Sequence, residues 1–448
     1  MMKKNINLYI LLLFAFSTLA SCKKFLDEKP DQKLMVPKTL EDFQSLLDGN
    51  FEMNLASTSA GLISSDDYSL GNDAYNKLDV DQRNMYTWQD KSFSEVRVND
   101  WGSVYTQVYN ANVALEGVEK ITKASFNESK WNNVKGSALL FRGRAFFEAA
   151  LIWAKAYDAA SANTDPGIPL RMTSDFNAKT TRPNVQETYA QVLNDLKQAA
   201  DLLPAHPDHP IRPSKGAAYA YLSRVYLAMR DYPNAGKYAD AALQLNDKLI
   251  DYAALDDTDF YPLPGITNPE LIMFFTMETS FTPVIDQSLY DLYADNDYRK
   301  TVFFEENRDG SMGFKGSYDG SYAYFTGVAT DEMYLNRAEC AARGNKVSDA
   351  MKDLNTLLGK RINGFVPLTA TDPADALRLI LQERRKELVL RGTRWMDLKR
   401  LNKESEFQVT LKRTAGGKEY VLLPNDPKYA LPIPDQIIMK SGIPQNIR

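Results

Sequence analysis

Histidine and cysteine are both scarce in this sequence: 448 residues contain two of each. Cys340 is the only cysteine beyond residue 22, so no disulfide is expected within the folded part. His206 and His209 lie in a proline-rich stretch with Asp208. That spacing could serve a metal ion, but it favours a stiff connector between helices. Glycine-rich phosphate loops and cysteine–histidine constellations are also missing. The sequence therefore offers little catalytic apparatus.

The sequence also lacks a basic block and a second long apolar run. Lys and Arg number 53 against 58 Asp and Glu, which gives a net charge of −5. An acidic chain without clustered positive charge argues against binding to nucleic acid, and against charge-driven binding to anionic lipid. Beyond residue 22, no segment approaches the roughly 20 apolar residues that a membrane-spanning helix needs.

The first residues predict export and lipidation. Two lysines precede a mainly apolar stretch from Ile6 to Leu19, and small residues then lead into Cys22. This pattern is typical of a secretory signal and is too short for a spanning helix. A cysteine directly after small residues resembles the bacterial lipobox, in which the cysteine becomes the lipid-carrying N-terminus. We expect residues 1–21 to be removed and Cys22 to anchor residues 22–448 to a membrane.

Helical periodicity dominates much of the remaining chain. Apolar residues recur every three or four positions, which predicts amphipathic or buried helices over residues 98–123, 134–158, 185–203, 214–230 and 233–246. In the segment 214–246, small residues alternate with bulky ones on both sides of a turn at Asp231-Tyr232-Pro233. Small residues allow two antiparallel helices to approach closely, which is the tetratricopeptide pattern.

A looser copy of this pattern runs from Tyr334 to Leu358, with its turn at Gly344-Asn345. Because a stack of such repeats needs about three copies to bury its faces, further copies are expected. The predicted fold class is therefore mainly α, with tetratricopeptide-like helical repeats. We place the scaffold mainly at 98–248 and 330–400.

Two segments interrupt the helical texture. Residues 50–97 and 250–330 are rich in Tyr, Phe, Asp and Gly without a sustained helical period, which predicts an irregular aromatic lobe with a few short strands. The C-terminal part, 401–448, is expected to carry a β-hairpin and a tail. Its strands are predicted at Phe407–Leu411 and Tyr420–Leu423, on either side of Gly416-Gly417.

Several motifs in chain order carry a family resemblance. They are the start at Cys22–Asp27, Trp101–Asn112, Ala145–Tyr157 followed by Gly167–Leu170, the run Glu383–Arg400, and the closing Leu431–Pro434, Gln436–Ile438 and Gln445-Asn446. Together they resemble the SusD/RagB family of Bacteroidetes lipoproteins along essentially the whole chain. Arg391 is a departure, because the family commonly has an acidic residue there.

The resemblance implies about four helix pairs that support a variable lobe within a single SusD-like unit. It also implies a protein that captures a ligand and performs no chemistry on it. Such a protein would sit at the outer membrane, facing the cell surface, as a lid on a SusC-like TonB-dependent transporter. Ligands in the family are mostly oligosaccharides, with oligopeptides in one branch.

The charged run from Glu383 to Arg400 invites a functional interpretation, but a structural one is favoured. Glu383 and Glu387 lie one turn apart, and Arg384 and Arg391 are spaced to pair with them along one helix face. We expect a half-buried network that locks the last helix pair.

Clustered aromatic residues in the lobe are the candidates for ligand binding. A flat ring suits the C–H face of a sugar, and neighbouring polar groups can hydrogen-bond its hydroxyls. The competing interpretation is that such rings plug the core. The candidate ligand contacts are Asp73, Tyr75, Arg83, Tyr86, Trp88, Tyr293, Arg299 and Tyr322. No cofactor is expected, although Asp66, Asp67 and Asp73 supply oxygen ligands that would suit calcium if they were not simply solvated.

Other functions compatible with the sequence remain open. A peptide cargo would use the same architecture and a long groove. A tetratricopeptide scaffold for outer-membrane assembly would have a plainer chain of repeats, and the 80-residue insertion argues against it. A helical glycoside hydrolase needs a pair of carboxylates, and nothing selects one pair among 58 acidic residues.

Overall fold

The computed structural model of this chain describes residues 37–91 and 99–448, so the predicted export signal and Cys22 lie outside the described residues. The first of these ranges contains five short helices and one strand: α1 (Leu40–Leu47), α2 (Asn50–Met53), α3 (Ala60–Ser64), β1 (Tyr68–Ser69), α4 (Asn72–Lys77) and α5 (Val80–Tyr86). Our expectation of irregular structure with short strands from residue 50 is confirmed only for the strand β1, because four short helices form most of the segment. Helices of four to seven residues are too short to show a sustained period, and α5 depends on its cap, where Asp79 accepts from Gln82 N–H.

The next five helices are longer and form the first part of the scaffold. They are α6 (Asp100–Val118), α7 (Glu128–Trp153), α8 (Val185–Leu202), α9 (Lys215–Ala228) and α10 (Tyr232–Leu243). Side chains that cap four of their N-termini are Asn99, Asn184, Ser214 and Asp231. All five lie where the periodicity predicts them, with ends that differ by a few residues.

Small residues let these helices pack closely, as the tetratricopeptide pattern predicts. A Cβ atom at Gly143 of α7 would lie 3.1 Å from the Cβ of Asp195 in α8. One at Gly236 of α10 would lie 2.9 Å from the Cβ of Cys340, in the next scaffold helix. Glycine at these positions therefore sets the distance between neighbouring helices.

The lobe between the two scaffold parts contains short elements only. They are β2 (Leu271–Met273), β3 (Thr276–Met277), β4 (Val284–Ile285), α11 (Gln287–Tyr290), α12 (Arg299–Val302), β5 (Phe304–Glu306), β6 (Met312–Phe314), β7 (Tyr324–Phe325) and β8 (Val328–Ala329). Antiparallel pairs join β2 to β8, β3 to β7 and β5 to β6. In addition β1 pairs with β4, Tyr68 opposite Ile285, so the two lobe segments that are distant in sequence meet in one sheet. The short strands predicted for 250–330 are confirmed.

The second scaffold part and the C-terminal region complete the fold. They contain α13 (Thr330–Arg343), α14 (Val347–Leu358), α15 (Pro373–Glu387), α16 (Arg394–Leu401), β9 (Leu411–Ala415), β10 (Lys418–Leu422) and α17 (Asp435–Ser441). Strands β9 and β10 form the predicted hairpin, turning at Gly416 and Gly417, which both have positive φ. Its first strand begins at Leu411, where our prediction had it end.

The scaffold helices pack in series. Helix α6 packs on α7, α7 on α8, α8 on α9 and α9 on α10; α10 then packs on α13, which also contacts α14 and α15. The lobe is inserted between α10 and α13 without interrupting this stack. The predicted mainly α fold class with tetratricopeptide-like repeats is confirmed. Within the described residues, no helix combines the length and apolar character that would let it cross a membrane.

A buried charge network fastens the lobe to the scaffold; its members are Glu270, Asp297, Arg299, Arg361, Glu383, Lys386 and Glu387. Arg299 of α12 donates to Glu387 at 2.9 Å and to Glu383 at 2.7 Å, both in α15. Arg361 bridges Glu387 at 2.7 Å and Glu270 at 2.9 Å. The carboxylates of α15 thus hold two arginines from elsewhere in the chain.

Our prediction that Glu383 and Glu387 pair with Arg384 and Arg391 along one helix face was wrong. Arg384 pairs with Asp397 of α16 at 2.8 Å, and Arg391 pairs with Asp331 of α13 at 2.7 Å. These side chains are buried between elements, where an unpaired charge would be costly. Each therefore pairs with the residue of opposite charge that faces it from the neighbouring element. The run is structural, as expected, but it links elements instead of stabilising one helix.

Candidate functional site

Two of the aromatic candidates lie in the core of the first lobe segment. Tyr86 and Trp88 are each only 1% exposed. The Tyr86 hydroxyl accepts a hydrogen bond from Leu70 N–H at 2.9 Å, and Trp88 Nε1 donates to Ser64 O at 3.0 Å. The guanidinium of Arg413, from β9, lies over the Tyr86 ring at 3.8 Å. Their prediction as ligand contacts was wrong, because both rings and their polar atoms are occupied by the protein itself.

Tyr293 and Arg299 are also buried. Tyr293 donates its hydroxyl hydrogen to Lys386 O at 2.8 Å, and Arg299 belongs to the buried charge network. A ligand has no access to either side chain, so these two predicted contacts were wrong as well. Arg299 and Tyr293 do lie together, with the guanidinium 5.7 Å from the ring centroid.

Asp73, Tyr75 and Arg83 remain at the surface on α4 and α5. Asp73 is exposed, whereas Tyr75 and Arg83 are half-buried. Arg83 donates to Asn76 O at 3.3 Å, and the Tyr75 ring packs 5.8 Å from the Tyr86 ring. Nothing in their geometry excludes ligand contact, so all three stay predictions.

Tyr322 differs from the other predicted rings because it projects from the surface, 69% exposed. The half-buried Tyr261 interacts electrostatically with Tyr322 through its phenol, and Phe260, next to Tyr261 in the chain, is 68% exposed. The rings of Phe260 and Tyr261 meet edge to face, 4.9 Å apart. We call Phe260, Tyr261 and Tyr322 the lobe ring cluster.

A close approach of two loops positions the lobe ring cluster. Gly265, which follows Phe260 and Tyr261, and Gly320, which precedes Tyr322, both have positive φ, at 61° and 70°. A Cβ atom on Gly320 would lie only 2.8 Å from the backbone of Gly265. Only glycine combines this backbone conformation with so little space, so the two ring-bearing loops are held in direct contact.

Carboxylates surround these rings. Glu278 Oε1 lies 3.4 Å from the Tyr322 hydroxyl, and Asp319 accepts hydrogen bonds from the backbone and side chain of Ser321 at 2.8 and 2.6 Å. Partial burial raises the pKa of Tyr261, and the charges of Asp319 and Glu305 raise it further. The surface therefore combines exposed ring faces with negatively charged hydrogen-bond acceptors. Such a surface can stack sugar rings and accept hydrogen bonds from their hydroxyls.

The calcium interpretation of Asp66, Asp67 and Asp73 was wrong. Arg394 donates to both carboxylate oxygens of Asp66, at 2.6 and 2.8 Å, and Arg385 reaches Asp67 at 3.4 Å. Burial opposes ionisation of Asp66, but Arg394 outweighs it and lowers the pKa of that carboxyl. Asp73 lies apart on α4. In residues 37–91 and 99–448, no group of three or more His, Cys, Asp or Glu side chains is arranged to hold a metal ion.

Comparison with known families identifies two separate regions of the chain, one on each side of the lobe. Residues 24–227 match a SusD-like model described as starch-binding and associating with the outer membrane, and residues 330–446 match the model of the SusD family. The chain belongs to the SusD/RagB family. The resemblance drawn from the sequence motifs is thereby confirmed.

Relatives of this SusD-family chain are distant in sequence but similar over their whole length. A SusD-like protein P38 from Formosa agariphila is 22% identical, and the match covers 90% of this chain and 92% of that protein. A SusD superfamily protein of known structure from Bacteroides thetaiotaomicron gives a TM-score of 0.72 at 20% identity, covering 92% of this chain and 100% of the other. A laminarin-binding SusD-like protein gives 0.61 at 16% identity, covering 90% and 97%. The structural matches establish a shared fold.

Sequence reasoning missed Phe260 and Tyr261 in this SusD-family lobe. Both directly follow the polar segment Asp256-Asp257-Thr258-Asp259. A polar segment of this kind indicates that the two rings after it are exposed, because polar residues keep the chain at the surface.

Proposed function

We propose that this protein is a lipid-anchored outer-membrane protein that binds oligosaccharide and delivers it to a SusC-like TonB-dependent transporter without chemical change. The observation that carries the proposal is the lobe ring cluster. It presents two rings that are more than two-thirds exposed, beside carboxylates, on loops held by a backbone contact. The export pattern that ends at Cys22 supports the lipid anchor.

The geometry suits reversible sugar binding. Stacking of a sugar on an aromatic face contributes about 1 kcal/mol, so two or three such contacts with a few hydrogen bonds correspond to a Kd of roughly micromolar to millimolar. Weak binding of this order suits a protein that must release what it captures. The acidic surroundings favour neutral sugars, because a uronic or sulfated sugar would meet Glu278, Glu305 and Asp319 with like charge.

The comparisons point in the same direction. One structural relative is a laminarin-binding SusD-like protein, and the family model that matches residues 24–227 describes starch binding. Both are neutral glucans, which agrees with the charge of the ring surroundings. The matched family is also described as associating with the outer membrane.

Calorimetric titration tests the binding proposal. A soluble form that begins after Cys22 is titrated with neutral glucan oligosaccharides, acidic oligosaccharides and oligopeptides. We expect heat of binding with at least one neutral glucan. Phe260→Ala and Tyr322→Ala should each weaken that binding about fivefold, from the loss of about 1 kcal/mol of stacking.

Phe126→Ala is the matched control. Phe126 is 88% exposed, in the connection between α6 and α7, so its removal changes surface apolarity without touching the lobe. Binding of peptides alone, or glycan binding that resists both ring variants, would overturn the proposed site.

Delivery and anchoring need cellular tests. Cys22→Ala should release the protein from the outer-membrane fraction, and affinity purification of the anchored protein should recover a TonB-dependent barrel. A membrane-bound C22A variant would contradict the lipid anchor, and a pull-down without any such barrel would contradict the transporter partnership.

A further inference from the structure

A small interior cavity lies where α7, α9 and the turn between α15 and α16 meet. Its volume is about 40 Å³. Its lining includes Glu148, Tyr221, Arg224, Arg391 and Trp395. Since one water or ion needs about 10–15 Å³ of such space, the cavity has room for one to three small particles and none for a sugar.

Three hydrogen-bond donors on this lining have no partner. Within the part of the chain that the structure describes, Arg391 Nε, Arg391 Nη2 and Trp395 Nε1 are buried and donate to no protein atom. Arg391 is 5% exposed and Trp395 is 1% exposed. An unpaired buried donor costs about 1–3 kcal/mol, and more when it is charged, so three at one cavity need a compensating acceptor.

The unpaired edge of Arg391 is the one that other buried arginines use for carboxylates. Nε and Nη2 form a fork that matches two acceptors or one small anion. Nε and Nη2 of Arg142 donate to the two carboxylate oxygens of Asp195, both at 2.8 Å. The same atoms of Arg224, which also lines the cavity, donate to Glu332 at 2.8 and 2.5 Å. Three further arginine–carboxylate pairs repeat the arrangement: Arg299 with Asp297, Arg337 with Asp353, and Arg394 with Asp66.

Arg391 itself cannot turn this edge to another partner. Its Nη1 is held by Asp331 at 2.7 Å, and its guanidinium lies over the rings of Tyr318 and Phe325, at 4.4 and 4.7 Å. The turn that carries it is fixed by positive φ at Leu390 and Gly392. The fork is thus locked in place, with one edge filled by protein and the other facing the cavity region.

We propose that this cavity binds a small monovalent anion, of the size of chloride, on the Nε and Nη2 of Arg391 with Trp395 Nε1 as a third donor. The anion would occupy the place that a carboxylate takes at the other buried arginines. Arg224 also lines the cavity, with its charge compensated by Glu332. Glu148 lines the cavity too: its Oε1 accepts from Arg144 at 2.6 Å, and its Oε2 has no protein donor within the residues that the structure describes. The proposal is independent of the glycan function.

Diffraction with bromide tests the site directly. Crystals of the soluble protein are grown in about 150 mM sodium bromide, and data are collected at the bromine absorption edge. We expect an anomalous peak in contact with the Arg391 fork and Trp395 Nε1. Ordered water in the cavity, or bromide only on the protein surface, would overturn the proposal.

Thermal unfolding provides a solution test. Sodium chloride is replaced by sodium gluconate at constant ionic strength, because gluconate is too large for the cavity. We expect chloride to raise the Tm by about 2 °C when it is at tenfold excess over its Kd, and above the Kd the rise should follow the logarithm of the chloride concentration. An equal Tm in the two salts would overturn the proposal.

Variants assign that response to the cavity. Arg391→Gln should abolish the chloride-specific rise, and Trp395→Phe, which keeps the ring but removes Nε1, should weaken it. Arg378→Gln, on the exposed face of α15 with its side chain 63% exposed, should leave it intact. If Arg391→Gln does not fold, the Trp395→Phe response and the bromide peak decide. An undiminished chloride response in Trp395→Phe without a bromide peak in the cavity would contradict the site.

Discussion

Charged side chains are usually exposed and aromatic ones are usually buried. The buried charge network and the lobe ring cluster show the reverse. Arg299, Arg361 and Glu387 are charged and 0–1% exposed, whereas Phe260 and Tyr322 are aromatic and more than two-thirds exposed. The charged residues can be buried because each has two or more partners of opposite charge. The rings can stay exposed because their loops are fixed by backbone contact, not by ring packing. Position in the fold, and not residue type, decides which group reaches the surface.

The largest expected effect comes from breaking the buried charge network at its centre. Glu387→Gln removes the charge that Arg299 and Arg361 share and leaves both guanidiniums undercompensated. We expect a loss of about 3–5 kcal/mol in the free energy of unfolding, measured by urea denaturation. The exposed Arg378→Gln should change it by less than about 0.5 kcal/mol. A loss below about 1 kcal/mol for E387Q would mean that the network contributes no net stability.

A smaller loss in the free energy of unfolding is expected from a change at Tyr86, a buried ring that the sequence predicted as a ligand contact. Tyr86→Phe keeps the ring but leaves Leu70 N–H without its acceptor. The free energy of unfolding should fall by about 1–3 kcal/mol, with unchanged glycan affinity. Weaker glycan binding at unchanged stability would restore Tyr86 to the ligand site.

Lys399 is a buried amine outside the buried charge network, so its titration shows what burial does to a cation that has no carboxylate partner. Its Nζ donates to Leu151 O and Ala154 O, and burial lowers its pKa to about 7. Between pH 7 and the ordinary value near 10.5, the unfolded chain binds more protons than the folded one, so stability should rise with pH across that window. The free energy of unfolding of the wild type, relative to that of Lys399→Met, should therefore rise by about 2 kcal/mol from pH 7 to pH 9 in urea denaturation. A difference that stays constant with pH would show that the folded amine keeps its ordinary pKa.

The smallest effects concern the exposed ring itself. Tyr322→Phe keeps the stacking face and removes the hydroxyl near Glu278, so glycan affinity should fall less than about twofold, against about fivefold for Tyr322→Ala. Neither change should move the free energy of unfolding by more than about 0.5 kcal/mol. Equal losses of affinity in the two variants, measured by calorimetry, would assign the contact to the hydroxyl instead of the ring.

The helical scaffold could be predicted because its signals are local. The signals that predict α9 and α10 are close together in sequence. They are the alternating small and bulky residues and the N-cap Asp231, each within one or two helical turns of the next. The hairpin at Gly416 and Gly417 is equally local. The short helices α2 to α5 were not predicted, since four to seven residues cannot establish a period.

The candidate site was harder to predict because burial depends on distant residues. Arg299 is buried by Glu383 and Glu387, 84 and 88 positions further along the chain. Trp88 is enclosed with the help of Arg413, from the C-terminal hairpin. No pattern near either residue reveals these partners, so a ring or arginine in the lobe looked equally available for ligand or core. Tyr322 was identified as a candidate, and its exposure agrees with that role.

The contact between Gly265 and Gly320 has a consequence for how this surface can change over time. Since main chain meets main chain there, the spacing of the two loops does not depend on which side chains they carry. Substitutions at positions 260, 261 and 322 can therefore alter the chemistry presented outward while the platform beneath them stays the same.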